Sequence, residues 1–313
     1  MLAYYVHDLN PFLIEFGNGV GLRWYGLAYV AAFVAGYWLY VWLARQGFSE
    51  IAPEKIGDFI TGTALFGVII GGRLGYMVFY DWSAFTANPL VIFKFWDGGM
   101  SSHGGMLGVI AFTWIYARRQ HVSWLNIGDN LVTVAPVGLF FGRCANFING
   151  ELFGRVAAVP WAVQFPNELY DAPAETVQPA LSGANAIDPS WISVTDIIEN
   201  ARNSPELRTH LAGILSPRHP SQVYEAFLEG VVLFTLLWIL RTRCRLPNGV
   251  LTGIFFLAYA VLRIIGEIFR EPDAPMVAML TRGQFLSLFL LVIGGLFVVL
   301  AFRRPTWAPR FQS

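Results

Sequence analysis

Seven apolar stretches separated by polar segments dominate the hydropathy pattern of the chain. They cover about residues 22–44, 59–80, 104–117, 130–149, 222–240, 250–269 and 283–302. A helix of about 20 apolar residues crosses the roughly 30 Å of hydrocarbon in a bilayer, and every stretch except the third approaches that length. The pattern predicts seven transmembrane helices, the third of which is short or begins earlier, near Met100.

Basic residues follow every second stretch and predict the orientation. They are Arg45 and Lys55, Arg118 and Arg119, Arg241, Arg243 and Arg245, and Arg303, Arg304 and Arg310. Because short basic loops stay on the cytoplasmic side, seven spans place the amino terminus outside and the carboxyl terminus inside. The long polar stretch at 150–220 then forms a small extracytoplasmic head, in which we expect a short helix over 194–211 and loop elsewhere.

The predicted fold class is an all-α polytopic membrane protein in three segments. Residues 1–149 carry helices one to four with an outer loop at 81–103, residues 150–220 form the head, and residues 221–313 carry helices five to seven. Glycines in helix two and at the start of helix three predict close backbone packing between helices. No internal repeat is visible, which disfavours transporters built from inverted repeats.

Composition supports a membrane protein and restricts its partners. Of the 313 residues, 55% are hydrophobic and only 13% are charged, about half the charged fraction of a soluble domain. The 21 basic and 21 acidic residues cancel, which argues against a nucleic-acid partner. Only Lys55 and Lys94 are lysines, so arginine dominates, and its planar fork grips phosphate or carboxylate with two hydrogen bonds.

Several ionisable residues lie inside the predicted spans, where each costs about 2.5 to 3.5 kcal/mol to insert. Helices two, four and six carry Arg73, Arg143 and Arg263, each roughly 20 Å from the inner end of its helix at 1.5 Å per residue. We therefore expect a layer of arginines in the outer half of the bilayer. Helix five also carries Glu225 and Glu229.

Helix six shows a polar stripe, because Tyr259, Arg263, Glu267 and Arg270 are spaced by four, four and three residues. An Arg263–Glu267 salt bridge is expected on this face. Such a pair either satisfies itself as a purely structural feature or holds the arginine in place for a phosphate.

Helix four ends in the segment GRCANFINGELFG at 142–154, which places Arg143, Asn146, Glu151 and Gly154 at the membrane surface. So many polar groups indicate a function rather than packing. His103 lies between glycines in the loop before helix three, and a neutral imidazole there is a candidate proton acceptor.

The segment at 142–154 resembles the signature of bacterial prolipoprotein diacylglyceryl transferases. The resemblance continues through RWYGLAY (23–29), GGRLGYMVFY (71–80), WDGGMSSHGG (96–105), RHPSQVYEAFLEG (218–230) and YAVLRIIGEIFREPD (259–273), in family order and over nearly the whole chain. Ser102 stands where relatives commonly have a bulkier aromatic residue, and the head between about 168 and 216 does not match closely.

The resemblance implies a transferase that moves the diacylglyceryl group of phosphatidylglycerol onto the lipobox cysteine of a prolipoprotein signal peptide. The implied location is the bacterial inner membrane, with the active site facing the outer leaflet among membrane lipids. No metal or other cofactor is implied. The phosphate-binding arginines fall on Arg143 and Arg263 and the essential histidine on His103. The supporting residues fall on Tyr25, Arg73, Asn146, Glu151, Gly154, Tyr259 and Glu267.

The resemblance leaves the role of His103 open, as the base for the thiol or as a ligand of the lipid head group. A lipid or anion transporter that uses the same arginine layer is the alternative function. An intramembrane protease using Ser101 or Ser102 with His103 is a poor third hypothesis, because these residues are adjacent in one loop rather than on facing helices.

Overall fold

The computed structural model describes residues 4–17, 20–94, 99–272, 276 and 279–311. Trp96, Asp97, Gly98 and Asp273, which belong to two of the motifs above, lie outside the described residues. The longer helices agree with the apolar pattern, and the head holds more regular structure than expected.

The helices are, in chain order, α1 (Trp24–Arg45), α2 (Pro53–Phe79), α3 (Trp82–Ala87), α4 (Ser102–Gln120), α5 (Trp124–Asn149), α6 (Ala174–Ile187), α7 (Val194–Ala201), α8 (Pro205–Ala212), α9 (Ser221–Arg243), α10 (Val250–Phe269) and α11 (Arg282–Arg303). Helix α2 contains a π-helical segment over Thr63–Ile70, and α9 contains one over Ala226–Val232. Short 3₁₀ turns occupy Pro53–Lys55, Pro89–Phe93, Pro166–Tyr170 and Pro309–Phe311.

Six helices in the described part of the chain are long and apolar enough to cross a membrane, namely α1, α2, α5, α9, α10 and α11. Helix α4 stands where the short third span was predicted and is not one of the six. It has 19 residues and extends beyond the apolar run at both ends, to Ser102 and to Gln120. Its polar last turn, with Arg118 and Arg119, lowers its average hydropathy.

The chain divides into two compact units. The first comprises residues 1–32, 135–236 and 255–294, and the second comprises residues 33–134, 237–254 and 295–313. The second unit has a buried core of side chains from α1, α2, α4 and α5, including Tyr40, Ile56, Phe59 and Ile127.

The predicted close packing of glycines is confirmed within the second unit. A Cβ on Gly104 of α4 would lie 2.4 Å from the carbonyl oxygen of Gly71 and 2.6 Å from the Cα of Gly75, both on α2. Only glycine permits this approach of two helix backbones, which gives the packing contact that apolar burial does not supply in lipid.

The head belongs to the first unit and shares an apolar core with the amino-terminal segment of the chain. Strands β1 (Tyr5–Val6), β4 (Val163–Gln164) and β5 (Pro217–Arg218) form a three-stranded sheet, while β2 (Phe12–Gly17) and β3 (Val20–Arg23) form an antiparallel hairpin. Side chains from β1 and from α6, α7 and α8 pack together, including Val6, Ala184, Ile197, Leu207 and Leu211.

The expectation of one helix over 194–211 and loop elsewhere was wrong in two respects. The helix is interrupted into α7 and α8, because the Ser204 hydroxyl accepts a hydrogen bond from the Leu207 N–H and Pro205 begins a new helix. Residues 174–187 form α6, which buries the small side chains of Ala180 and Ala184. Alanines contribute little to an apolar pattern dominated by large side chains, so α6 was not predicted.

Candidate functional site

Helices α5, α9 and α10 bring a group of charged side chains together in the first unit. Arg143 on α5 contacts Glu225 of α9 with Nη1 at 2.9 Å from Oε2. The same guanidinium contacts Glu229, one turn further along α9, with Nη2 at 2.9 Å and Nε at 3.2 Å from Oε2. The two contacts to Glu229 are hydrogen bonds, and the contact to Glu225 is an ion pair.

Arg263 on α10 approaches the same two carboxylates from the other side. Its Nη1 lies 2.7 Å from Oε1 of Glu225 and 3.2 Å from Oε1 of Glu229. Its Nη2 pairs with Glu267, which confirms the expected Arg263–Glu267 salt bridge. Arg270 completes the group, with Nη1 at 3.4 Å from Glu225. The pair predicted on one helix is therefore part of a network across three helices.

We call this network the ion cluster, defined by Arg143, Arg263, Arg270, Glu225, Glu229 and Glu267. Its three positive and three negative charges balance. The Glu225 and Glu229 side chains are fully buried, whereas those of Arg143 and Arg263 retain 15% and 13% exposure. The carboxylates thus hold the two arginines, whose side chains are partly exposed.

A cavity of about 390 Å³ borders the ion cluster between α5 and α9. Its lining residues are Phe140, Arg143, Cys144, Phe147, Ile148, Gln222, Val223, Ala226, Phe227 and Val231, and the wall that they present is almost entirely apolar. A charged group beside an apolar recess suits an amphiphilic ligand, with its anionic part at the arginine and its hydrocarbon against the apolar wall.

The segment after α5 forms a second polar group, which we call the signature turn (residues 146–154). Gly150 ends the helix in the left-handed conformation, at φ +67°, where glycine is favoured. Glu151 then accepts hydrogen bonds at Oε1 from Asn146 Nδ2 at 2.7 Å and from Asn149 Nδ2 at 3.4 Å. Its main-chain carbonyl accepts from Gln222 Nε2 at 2.6 Å. Three amides therefore fix Glu151.

Gly154 is required where the signature turn meets the end of α10. Its N–H donates to the His219 carbonyl at 2.9 Å, and a Cβ at this position would lie 2.5 Å from the carbonyl oxygens of both His219 and Phe269. Arg155 then donates its N–H to Phe269 O at 2.9 Å and its Nε–H to Arg270 O at 3.0 Å. The turn thus caps the helix that carries Arg263.

Two tyrosines predicted as site residues lie beside these groups. Tyr25 of α1 interacts with the Asn146 side chain and with the charge of Glu151. Tyr259 stacks on Phe255 with ring centroids 5.8 Å apart and interacts electrostatically with Glu229 and Arg263. The first unit therefore brings together Tyr25 with the signature turn and Tyr259 with the ion cluster.

His7, near the start of the chain, holds the end of α5. Its Nε2 donates to the Phe147 carbonyl at 2.7 Å, which satisfies one of the free carbonyls at a helix C-terminus. Its ring packs against Phe147 and Phe165, with centroids 5.5 Å and 5.4 Å away. Burial lowers the pKa of His7 below its usual value, so the imidazole stays neutral near pH 7.

Arg73 and His103, the other predicted site residues, belong to the second unit. Arg73 is buried and donates hydrogen bonds to the carbonyls of the loop before α4, which are Val91 at 2.8 Å, Ile92 at 3.3 Å, Lys94 at 2.8 Å and Gly99 at 3.1 Å. It therefore holds these four residues against α2.

His103 is exposed in the first turn of α4. Ser101, weighed above as a nucleophile, is buried, and its hydroxyl accepts a hydrogen bond from the Gly104 N–H at the start of that helix. The Ser101 oxygen acts as a helix cap, which disfavours Ser101 as the nucleophile of the protease hypothesis.

Sequence reasoning noted Glu225 and Glu229 as buried charges but did not place them in the site. The signal was available, because two carboxylates four residues apart inside a span need cationic partners. Gln222 and His7 were missed for a different reason. Their partners are main-chain carbonyls, and a pattern of side chains in the sequence does not predict such contacts.

Comparison with known proteins gives a consistent result along the chain. The family described as prolipoprotein diacylglyceryl transferase matches residues 11–300. A phosphatidylglycerol–prolipoprotein diacylglyceryl transferase from Coxiella burnetii is 40% identical over 306 residues, covering 96% of this chain and 98% of the relative. Relatives of the same name from Azospirillum brasilense and Citrobacter koseri are 41% and 38% identical, each over 97% of this chain and over 99% and 98% of their own lengths.

Proposed function

The chain belongs to the prolipoprotein diacylglyceryl transferase family, and we propose that it transfers the diacylglyceryl group of phosphatidylglycerol to a prolipoprotein. The acceptor is the thiol of the lipobox cysteine in the signal peptide. The observation that carries the proposal is the Arg143–Arg263 pair, whose guanidinium groups are held by two fully buried carboxylates beside an apolar cavity.

The reaction builds up negative charge on the phosphate. The thiolate sulfur forms a bond to the glyceryl carbon, the bond from that carbon to the phosphate oxygen breaks, and the phosphate keeps the electron pair. The products are a thioether and glycerol phosphate, and the thiol proton leaves to a base. Negative charge grows on the departing phosphate, so fixed arginines in a low-dielectric site stabilise the transition state more than the bound lipid.

Arg143 and Arg263 contact that phosphate in the proposed mechanism. Glu225, Glu229 and Glu267 act through them, because their contacts fix both guanidinium groups before the lipid arrives. Little reorganisation is then needed as charge develops. Arg270 shares Glu225 and keeps the ion cluster neutral in the absence of lipid.

The signature turn and the tyrosines orient the remainder of the lipid head. Asn146 and Tyr259 are assigned to the glycerol, Glu151 to the support of Asn146, and Tyr25 to the same polar group. Gly154 serves this arrangement by allowing the close approach of the turn to α10.

His103 is assigned either to thiol deprotonation or to the lipid head group. Thiols with a pKa near 8.5 are mostly protonated at neutral pH, and imidazole is the common acceptor in this range. Arg73 is a positioning residue in this scheme, since it binds the carbonyls of Val91, Ile92, Lys94 and Gly99, which precede the helix that bears His103.

The six candidate spans support a multi-pass membrane protein. The finer topology is seven spans with α4 as the third, the amino terminus outside and the carboxyl terminus inside. The three segments 1–149, 150–220 and 221–313 then follow as two membrane portions flanking an extracytoplasmic head. The location is the bacterial inner membrane, with the arginines facing the outer leaflet.

A reconstituted transfer assay tests the function. Purified protein, phosphatidylglycerol vesicles and a lipobox peptide should yield free glycerol phosphate and a peptide heavier by one diacylglyceryl unit. Phosphatidylcholine vesicles serve as the control lipid and should yield neither product. Absence of both products with phosphatidylglycerol refutes the transferase. Movement of lipid or phosphate across the vesicle without covalent product would favour the transporter instead.

A further inference from the structure

Two amide oxygens next to the signature turn are buried without a hydrogen-bond donor among the described residues. They are Oε1 of Gln222 and Oδ1 of Asn149. An unsatisfied buried acceptor costs about 1 to 3 kcal/mol, and each such group in a native protein calls for an explanation. Gln222 is entirely buried as a residue, so bulk water does not supply the donor.

The orientation of both amides is fixed by Glu151. Gln222 Nε2 donates to the Glu151 carbonyl at 2.6 Å, and Asn149 Nδ2 donates to the Glu151 carboxylate at 3.4 Å. Rotating either amide by half a turn would set its oxygen against an oxygen of Glu151. The two acceptors therefore remain available while the two donors are engaged.

Gln222 lies in line with the residues that hold the arginines. Gln222, Glu225 and Glu229 are spaced by three and four residues along α9, so they share one face of the helix. Three residues correspond to a rise of about 4.5 Å. Gln222 thus lies about one turn from Glu225, which contacts both Arg143 and Arg263, and it lines the same cavity as Arg143.

We propose that Gln222, together with Asn149, determines head-group specificity by accepting hydrogen bonds from the hydroxyls of the departing glycerol. The inference rests on the proposed function, because it takes the lipid phosphate to lie at Arg143 and Arg263. A glycerol head carries two hydroxyl donors on the side of the phosphate away from the acyl chains. The two unpaired acceptors match these two donors in number.

The inference predicts a preference for head groups that carry hydroxyls. A lipid of about the same size without hydroxyls tests this preference. Phosphatidylpropanol has the same phosphodiester and three-carbon chain as phosphatidylglycerol and lacks both hydroxyls. A site with a buried unpaired acceptor rejects a ligand that lacks the matching donor. We expect the full-length wild-type protein to use phosphatidylglycerol at least about tenfold faster, as release of the head-group phosphate in the presence of a lipobox peptide.

Gln222→Met keeps the side-chain length and removes both the acceptor and the donor to Glu151. The phosphatidylglycerol rate should fall about tenfold more than the phosphatidylpropanol rate, so that the ratio of the two rates approaches one. Ser221→Ala is the matched control, because the Ser221 hydroxyl donates to Leu152 O of the same turn at 3.0 Å without offering a free acceptor. This variant should lower both rates by the same factor and keep the wild-type ratio.

Gln222→Glu provides a further check, since a carboxylate keeps an acceptor and loses the donor to Glu151. Its preference for phosphatidylglycerol should persist even where its overall rate falls. The inference is overturned by an unchanged ratio in Gln222→Met, or by a wild-type protein that uses both lipids equally, a result that needs no variant to fold. Wild-type protein that transfers neither lipid would instead refute the proposed function.

Discussion

The Glu225 carboxylate is the most informative position in the ion cluster, because it contacts three guanidinium groups at once. Its distances are 2.9 Å to Arg143, 2.7 Å to Arg263 and 3.4 Å to Arg270, and the side chain is fully buried. Glu225→Gln preserves the shape and removes one negative charge. The ion cluster then changes from three positive and three negative charges to three positive and two negative charges.

Two magnitudes follow for Glu225→Gln. Removing one partner from a buried set of charges costs about 3 to 5 kcal/mol, because it leaves a cation without compensation. Turnover should fall about 10- to 100-fold, as for the loss of groups that orient reacting side chains. The net charge of the ion cluster with bound lipid distinguishes a role in lipid binding from a role in stability alone. A lipid phosphate brings the wild-type cluster to a net charge of −1, whereas it brings the variant to zero.

The assay is thermal unfolding in detergent with added phosphatidylglycerol or phosphatidylcholine, alongside glycerol phosphate release. We expect Glu225→Gln to unfold at a lower temperature than wild type and to gain more stability from phosphatidylglycerol than wild type gains. Glu271→Gln is the matched control, since its half-exposed carboxylate lies 3.3 Å from Arg218, which is not a member of the ion cluster, and such pairs contribute little. Equal stabilisation of variant and wild type by the anionic lipid would refute the charge argument.

Three further predictions concern other parts of the site. Arg143→Lys should lower glycerol phosphate release by about 100-fold, because an ammonium cannot span Glu225 and Glu229 as the planar fork does, and near-normal turnover would count against the clamp. Gly154→Ala should destabilise by about 1 to 3 kcal/mol in thermal unfolding, since its Cβ meets two carbonyl oxygens at 2.5 Å, whereas Gly142→Ala in the same segment has nothing within 4 Å and should be neutral. Burial lowers the pKa of His7 in the folded protein below the 6.5 of a free side chain, so the unfolded chain takes up the proton first and stability falls as pH drops below about 6.5. His7→Gln should show a smaller loss of thermal midpoint between pH 7.5 and 5.5, and an identical loss would exclude His7 as a contributor.

Hydropathy located the long helices well because the cost of inserting a segment into hydrocarbon depends on its own composition. The predicted run at 250–269 coincides with α10, and the run at 283–302 differs from α11 by one residue at each end. The same cost identified Arg143 and Arg263 as charges whose place inside a span requires an explanation. The signature at 142–154 then indicated the family, which the comparisons confirm.

The sequence did not determine which groups satisfy those charges. Glu225 meets Arg143 and Arg263 only because α5, α9 and α10 present particular faces to one another, and a face orientation is a property of the packed bundle. The head sheet illustrates the same limit, since strands of two residues pair across more than 150 positions, as Tyr5 does with Val163.

By itself, then, the sequence identified a membrane protein, the six long apolar helices, the family and the arginines buried in predicted spans, since each follows from local composition or from a contiguous motif. Tertiary structure alone decided that the arginines share two carboxylates, that His7 and Gln222 reach main-chain carbonyls, and that Gly154 touches the end of α10. These contacts join residues far apart in the chain. Their energies exist only once the helices have packed, so no stretch of sequence carries them in advance.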